Sequence, residues 1–441
     1  MSLTHNGQET LDRAYRFLVE EEEVRVCKDI PDEACEEVPG NFFKLGASHT
    51  LTKLADELGN AKTVLPWLLT SLGAPAYFVG FLVPIRESGS LLPQLLIASV
   101  VRRMPRRKSV WVAGAFLQAL ALLGMAGAGL TLRGWEAGAA VLGLLALFSL
   151  ARGLCSVSSK DVTGKTIPKT RRGRLTGFTT SLAGVLTLIV GGLLAGLTPA
   201  DPSPELLAAI LASGAALWLL ASGVFGSIQE EAGATEGGKN AIREAIRRMS
   251  LLKTDSAFRR FVLTRALFVS TGLSAPYYVT LAREQNHSGN LLGFFILASG
   301  LASALSSAVW GRYSDRSSRR VLVAAALGAS LLGLIMFLLD RFGVVQAWSW
   351  IPPLAFFLLS IAHSGVRIGR KTYILDLASG QRRTDYVAVS NTIIGVVLLL
   401  GGVLGTLASL VGPGGMLLVL SLFGLAGVAL GWGLPEAEMQ G

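Results

Sequence analysis

Residues 148–185 lie without a gap on residues 359–396, at an offset of 211. Ser149/Ser360, Ala151/Ala362, Lys160/Lys371, Arg171/Arg382, Arg172/Arg383, Gly184/Gly395 and Val185/Val396 are identical pairs. A second pair of segments agrees at an offset of 212: residues 99–108, SVVRRMPRRK, fall on residues 311–320, GRYSDRSSRR. Arg107 and Lys108 meet Arg319 and Arg320, while Ser99 and Arg103 stand where the second copy has Gly311 and Asp315. Two offsets differing by one residue across half the chain imply an internal duplication. Each half must then be the same kind of folding unit.

The kind of unit follows from hydropathy. Hydrophobic residues make up 51 % of the 441-residue chain and charged residues only 16 %, so an ordinary soluble protein is excluded. Apolar runs recur at bilayer-spanning length, which predicts an all-α membrane protein, because only helices and closed barrels satisfy the backbone in lipid. Hydropathy alone places an early span over residues 62–85 and leaves a second of 14 residues over 88–101. At about 1.5 Å per residue that is too short for a core of about 30 Å. The repeat resolves this, placing span 1 at 42–69 and span 2 at 75–101. The other ten spans are 109–131, 137–166, 174–198, 205–228, 257–281, 289–310, 320–341, 348–375, 385–410 and 414–434.

Twelve transmembrane helices in two six-helix halves divide the chain into five parts. These are an acidic tail (1–40), a first half (41–228), a linker (229–256), a second half (257–434) and a short tail (435–441). Basic residues gather in alternate loops: 102–108, 165–174, 239–260, 312–320 and 382–383. The opposite loops offer only Arg133, Arg283 and Arg341, so the basic loops and both termini are expected in the cytoplasm. The formal charge of +10 therefore points to one face of a membrane bundle and not to nucleic acid. Residues 10–23 and 239–253 have amphipathic helical patterns; the second is basic and suits a membrane surface. Cys27 and Cys35 lie in the tail and Cys155 within a span, so no disulfide is expected. Four scattered histidines make no metal-ligand spacing, and no cofactor motif is present. Two small-residue pairs, Gly192–Gly196 and Gly401–Gly405, predict close helix contacts.

The loop Gly311, Asp315, Arg316, Arg319 and Arg320, together with the duplication, resembles the major facilitator superfamily. The resemblance covers residues 41–434. It implies two halves around a central cavity lined largely by spans 1, 4, 7 and 10. Arg152 followed by Gly153 is similar to a family motif in span 4, where a buried arginine is associated with proton coupling. The family's antiporter motif in span 5 has a Gly-Pro pair, whereas Gly184 is followed here by Val185.

Polar stripes run through the spans. His49, Lys53, Asp56 and Asn60 follow spacings of 4, 3 and 4, which keeps them on one helical face, with Glu57 beside them. Arg152, Ser156, Ser159 and Thr163 repeat that spacing in span 4, next to Lys160. His363, Arg367 and Arg370 do so in span 10, and span 2 adds Arg86, Glu87, Ser90 and Gln94, with Arg265 from span 7. Charges at bilayer depth cost at least a few kcal/mol each, so they face protein or a water-filled cavity. Asp56, Glu57, Glu87 and Arg152 are the candidates for proton coupling. His49, Lys53, Asn60, Arg86, Gln94, Ser156, Lys160, Arg265, His363 and Arg367 are the candidates to line a substrate cavity. The expected function is a monomeric secondary transporter in the cell (inner) membrane, moving a small anionic or zwitterionic molecule with protons. A lipid flippase of the same fold and a non-transporting receptor or scaffold are the alternatives.

Overall fold

A computed structural model describes residues 15, 35–101, 103–197, 202–233, 235, 249–285, 291–314, 316–377 and 382–436, a few of them by backbone alone. Every regular element among them is helical. The first half contains α1 (Val38–Leu58), α2 (Val64–Ser71), α3 (Tyr77–Leu91), α4 (Gln94–Val101), α5 (Lys108–Thr131), α6 (Gly134–Thr166), α7 (Lys169–Leu197) and α8 (Pro204–Gly226). The remainder contains α9 (Leu251–Thr254), α10 (Ser256–Phe268), α11 (Ser270–Leu273), α12 (Ala275–Gln285), α13 (Leu291–Ser314), α14 (Ser318–Arg341), α15 (Val344–Ala347), α16 (Ile351–Asp376), α17 (Arg382–Val403), a 3-10 turn (Leu404–Leu407) and α18 (Ala408–Trp432).

Among the described residues, seven helical stretches are long and apolar enough to cross a membrane: α5, α6, most of α7, α8, α14, most of α16, and the merged run through α17 and α18. That merged run is two spans, because Gly412 breaks it with φ 69° and ψ 175° immediately before Pro413. The predicted spans 1, 2 and 7 are interrupted, contrary to their expected continuity. Span 1 breaks at Asn60, whose Oδ1 accepts from Lys62 N at 2.8 Å and whose Nδ2 donates to Glu57 at 3.0 Å. Local side-chain bonds of this kind compete with the helical ladder. Span 2 breaks at Leu92–Pro93, where proline has no amide hydrogen to donate. The hydropathy alternative over 62–85 fails as well, since residues 72–76 are a turn.

Packing repeats across the duplication. α5 packs on α6 and α8, and α14 packs correspondingly on α16 and α18. α3 meets α6 as α13 meets α16, and α1 meets α8 as α10 meets α18. The most extensive contacts between the halves are α7 on α13 and α3 on α17. Their closeness depends on missing side chains: a Cβ on Gly80 would overlap Gly405, and one on Gly293 would overlap the Ala195 backbone. Of the two expected small-residue pairs, Gly405 makes such a contact, but Gly192 only grazes Leu297 at 3.9 Å and Gly196 meets nothing within 4 Å. Gly191 takes that role, lying 2.7 Å from Leu297 N once given a Cβ. At the same end, Arg283 of α12 donates to Trp67 O of α2 at 3.2 Å and lies over its ring. Toward the basic loops the contact fades, and a Cβ on Gly173 or Gly177 of α7 would meet nothing within 4 Å. The bundle is closed at one end and parted at the other.

The basic loops are pinned by glutamates that the sequence did not single out. After α8, Glu230 accepts from Arg107 N at 3.0 Å, Lys108 N at 2.8 Å and Lys165 Nζ at 3.0 Å. After α18, Glu436 accepts from Ser317 Oγ at 3.2 Å and pairs with Arg319 and Arg320. The duplicated Arg107/Lys108 and Arg319/Arg320 therefore reach the carboxylate that follows the last helix of their own half. Ser317 also caps α14 by accepting from Arg320 N at 3.2 Å. Gly311 ends within α13 and Arg316 is exposed, while Asp315 lies outside the described residues. So do most of the acidic tail and residues 239–248 of the linker. Tyr15 of that tail is buried edge-on against Phe42 at 5.4 Å. Cys35 is disulfide-bonded, against expectation, and the rest of that bond lies outside the described residues; Cys155 is buried and free.

Glu230 is fully desolvated, with its side chain 0 % exposed. Its truncation strands buried donors, and such losses cost about 3 kcal/mol or more. Glu230→Ala is expected to lower the thermal unfolding midpoint in detergent by several degrees. Arg320→Gln, at a side chain 73 % exposed, should barely move it.

Candidate functional site

Three cavities follow one another through the bundle and share charged walls. The first, about 240 Å³, is lined by Asp56, Glu57, Asn60, Lys62, Arg86, Glu87, Arg152, His363 and Arg367, with serines of α13. The second, about 110 Å³, shares Lys62, Glu87, His363 and Arg367 with it and adds Arg265 and Arg370. The third, about 500 Å³, lies toward the basic loops and carries His49, Lys53, Ser156 and Lys160; it meets the first at Asp56 and Arg152.

The helices that form these walls are the interrupted and polar ones. Asp56 on α1 is the hub: Arg86 Nη2 of α3 donates to Oδ1 at 3.1 Å, and Arg152 Nη1 of α6 donates to Oδ2. Arg86 also lies over the Phe148 ring, 4.9 Å from its centroid. One carboxylate serves both arginines. Glu57 is held differently, accepting from Asn60 Nδ2 at 3.0 Å and, across the halves, from Ser299 Oγ of α13 at 3.1 Å. The Glu87 carboxylate has no hydrogen-bond or ion-pair partner among the described residues and is exposed within the cavity. It is the carboxylate most open to water.

The remaining candidates divide. His49 Nε2 lies 2.8 Å from Ser159 Oγ, and Lys53 Nζ donates to Thr180 Oγ1 at 2.6 Å. His363 Nδ1 lies 3.0 Å from Thr271 Oγ1 on α11. Arg265 on α10 donates from Nη1 to Ser390 Oγ at 2.6 Å and from Nη2 to Asn391 Oδ1 at 2.9 Å, which ties it to α17. Among the described residues Arg367 has no such tie, and it stands exposed in the first two cavities. Gln94, expected on a cavity wall, sits at the start of α4 and lines none of the three, because the Pro93 break separates it from the face of α3. Sequence reasoning missed Lys62, which the break in span 1 carries into the cavity, and Ser299. A lysine at bilayer depth was the available signal for the first; Ser299 had none. Among the described residues no three His, Cys, Asp or Glu side chains form a metal cluster.

A helical bundle pseudo-symmetric in its packing, closed at one end and holding a charged cavity between its halves, defines a membrane transporter architecture. Residues 261–439 match the model of the Major Facilitator Superfamily. The D-xylose-proton symporter superposes with a TM-score of 0.69 at 14 % identity, covering 90 % of this chain and 99 % of that one. The nucleoside transporter NupG gives 0.69 at 13 %, covering 89 % and 99 %. The xylose transporter XylE from E. coli, in its inward open conformation, gives 0.66 at 13 %, covering 90 % and 97 %. No curated protein matches the chain by sequence. By sequence the likeness to that superfamily lies in the second half of the chain, and by fold the likeness to these transporters extends over nearly its whole length.

Proposed function

We propose that the protein is a proton-coupled secondary transporter of a small anionic or zwitterionic molecule, working by alternating access. The observation that carries this reading is the carboxylate hub: Asp56 pairs with Arg86 and Arg152 between two cavities, beside Glu87, which has no hydrogen-bond or ion-pair partner among the described residues. A carboxylate so placed exchanges a proton when a neighbouring cation moves, because its affinity for protons follows that charge. Glu87 or Asp56 carries the proton, and Arg152 modulates it. Residues 41–228 and 257–434 rock as halves around the cavity, joined by the linker at 229–256. Proton coupling is supported by the xylose neighbour, whose name records a proton symporter. The surplus of basic groups favours an anion or zwitterion, since the three carboxylates of the first cavity face Lys62, Arg86, Arg152 and Arg367. The parted end, with its basic loops, faces the cytoplasm of a cell (inner) membrane, as do both termini, and the working unit is one chain.

Two measurements test this. In a cysteine-free background, Ser203→Cys should be labelled from outside intact cells and Arg316→Cys should not; outside labelling of the second overturns the orientation. In reconstituted vesicles, a panel of anionic, zwitterionic, cationic, neutral and lipid-like solutes should give saturable, pH-driven accumulation of anions or zwitterions. Accumulation of lipid-like solutes alone would favour a flippase, and no flux of any class would favour a receptor or scaffold.

A further inference from the structure

We propose that the cavity between α3, α10, α16 and α17 is a subsite for a doubly charged anionic head, phosphate or its equivalent, on a small apolar body. Lys62, Arg367 and Arg370 hold that head. The inference rests on the transporter reading of the same cavity and names its substrate class.

The charge distribution is uneven in a way the rest of the interior is not. Arg86 and Arg152 share Asp56, and Glu57 has Asn60 and Ser299. The second cavity instead gathers Lys62, Arg265, Arg367 and Arg370 against a single carboxylate, Glu87. Among the described residues, the side chains of Lys62, Arg367 and Arg370 have no hydrogen-bond or ion-pair partner. Arg265 is 8 % exposed; its Nη atoms reach Ser390 and Asn391, and its Nε is buried without a partner. Cations in excess of carboxylates at bilayer depth cost a few kcal/mol each, so this cavity favours a counter-anion.

The donor set indicates which anion. Arg367 and Arg370 are three apart on α16 and so lie on one side of the helix. Two guanidinium forks and an ammonium point charge offer more donors than one carboxylate accepts, whereas a phosphate supplies three terminal oxygens and up to two charges. The rest of the lining is largely apolar and includes Leu91, Phe268, Leu322, Val366, Ile394 and Leu398. A volume of about 110 Å³ suits one ring or a short chain, comparable with cavities of about 150 Å³ that hold benzene. Two acyl chains do not fit there.

The test is calorimetric titration of the purified full chain with phenyl phosphate, benzoate, inorganic phosphate and phenyltrimethylammonium at constant ionic strength. Phenyl phosphate should bind about tenfold or more tightly than benzoate or inorganic phosphate, and phenyltrimethylammonium should not compete. Arg370→Gln and Lys62→Gln should each weaken phenyl phosphate about tenfold, the loss expected for one charge-assisted hydrogen bond. Arg370→Lys, which keeps the charge and removes the fork, guards against misfolding and should fall between. Equal binding of benzoate or of the cation overturns the proposal, as does unchanged affinity in both neutral variants. Inorganic phosphate binding as tightly as phenyl phosphate overturns the apolar body. Vesicle flux of other solutes without phenyl phosphate binding rejects this subsite and keeps the transporter. Binding without flux of any solute rejects the transporter reading.

Discussion

Asp56→Asn is expected to abolish concentrative transport and to destabilise the protein by about 2–4 kcal/mol. The carboxylate pairs with Arg86 and Arg152 at once, at side-chain exposures of 18 %, 14 % and 35 %. Breaking a fully buried pair costs about 3–5 kcal/mol, and partial hydration of Arg152 places this case at the lower end. Asparagine keeps one acceptor but no charge, so the two guanidinium groups repel across the junction of the first and third cavities. Part of the stability should return in Asp56→Asn/Arg152→Gln, which removes the surplus cation, yet coupling should stay lost because the titrating group is gone. Thermal unfolding and vesicle uptake measure the two effects separately. A single variant as stable as the parent, and still concentrating solute, would remove Asp56 from the account.

Charge reversal at two arginines should give opposite outcomes. Arg367 lines the first two cavities without a hydrogen-bond partner among the described residues, so Arg367→Glu should fold and shift selectivity toward cations. Arg265 is buried and joins α10 to α17 through Ser390 and Asn391. Glutamate there would place an acceptor-only, desolvated charge against Ser390 and the Asn391 oxygen, at a cost of several kcal/mol. Arg265→Glu should therefore reduce expression of folded protein without a new selectivity. Competition of anionic and cationic solutes for uptake reads the first variant, and size-exclusion profiles read the second. Changed selectivity in Arg265→Glu would move that residue to the substrate-facing wall.

Much of the fold was legible because duplication and hydropathy are carried by many residues at once. The offset of 212 located the polar spans that hydropathy undervalued: spans 1 and 2 are interrupted, charged and absent from the seven apolar stretches. Those same interruptions place Lys62 and Glu57 in the cavity, so the feature that hid the spans also built the site. The stripes His49–Asn60 and Arg152–Thr163 identified which faces are polar, because spacings of 3 and 4 fix a helical face whatever its partner. They could not show who pairs with whom. Asp56 choosing Arg86 and Arg152, and Glu57 choosing Ser299, depend on how helices distant in sequence are rotated against one another. Gln94 was misplaced because Pro93 ends the face that its spacing assumed. Glu230 and Glu436 were passed over because each follows a helix by a few residues and gains its role only when the chain turns back on the basic loop.

On the proposed function, protons move with the substrate through the Asp56–Glu87 region. Vesicles containing the purified protein and a trapped pH-sensitive dye measure this directly when an organic anion is added outside at symmetric pH. The expected result is substrate-dependent acidification of the lumen in the parent protein, absent in Asp56→Asn or Glu87→Gln while downhill substrate exchange persists in part. Substrate entry with no proton movement in the parent, or acidification that survives in both variants, would contradict it.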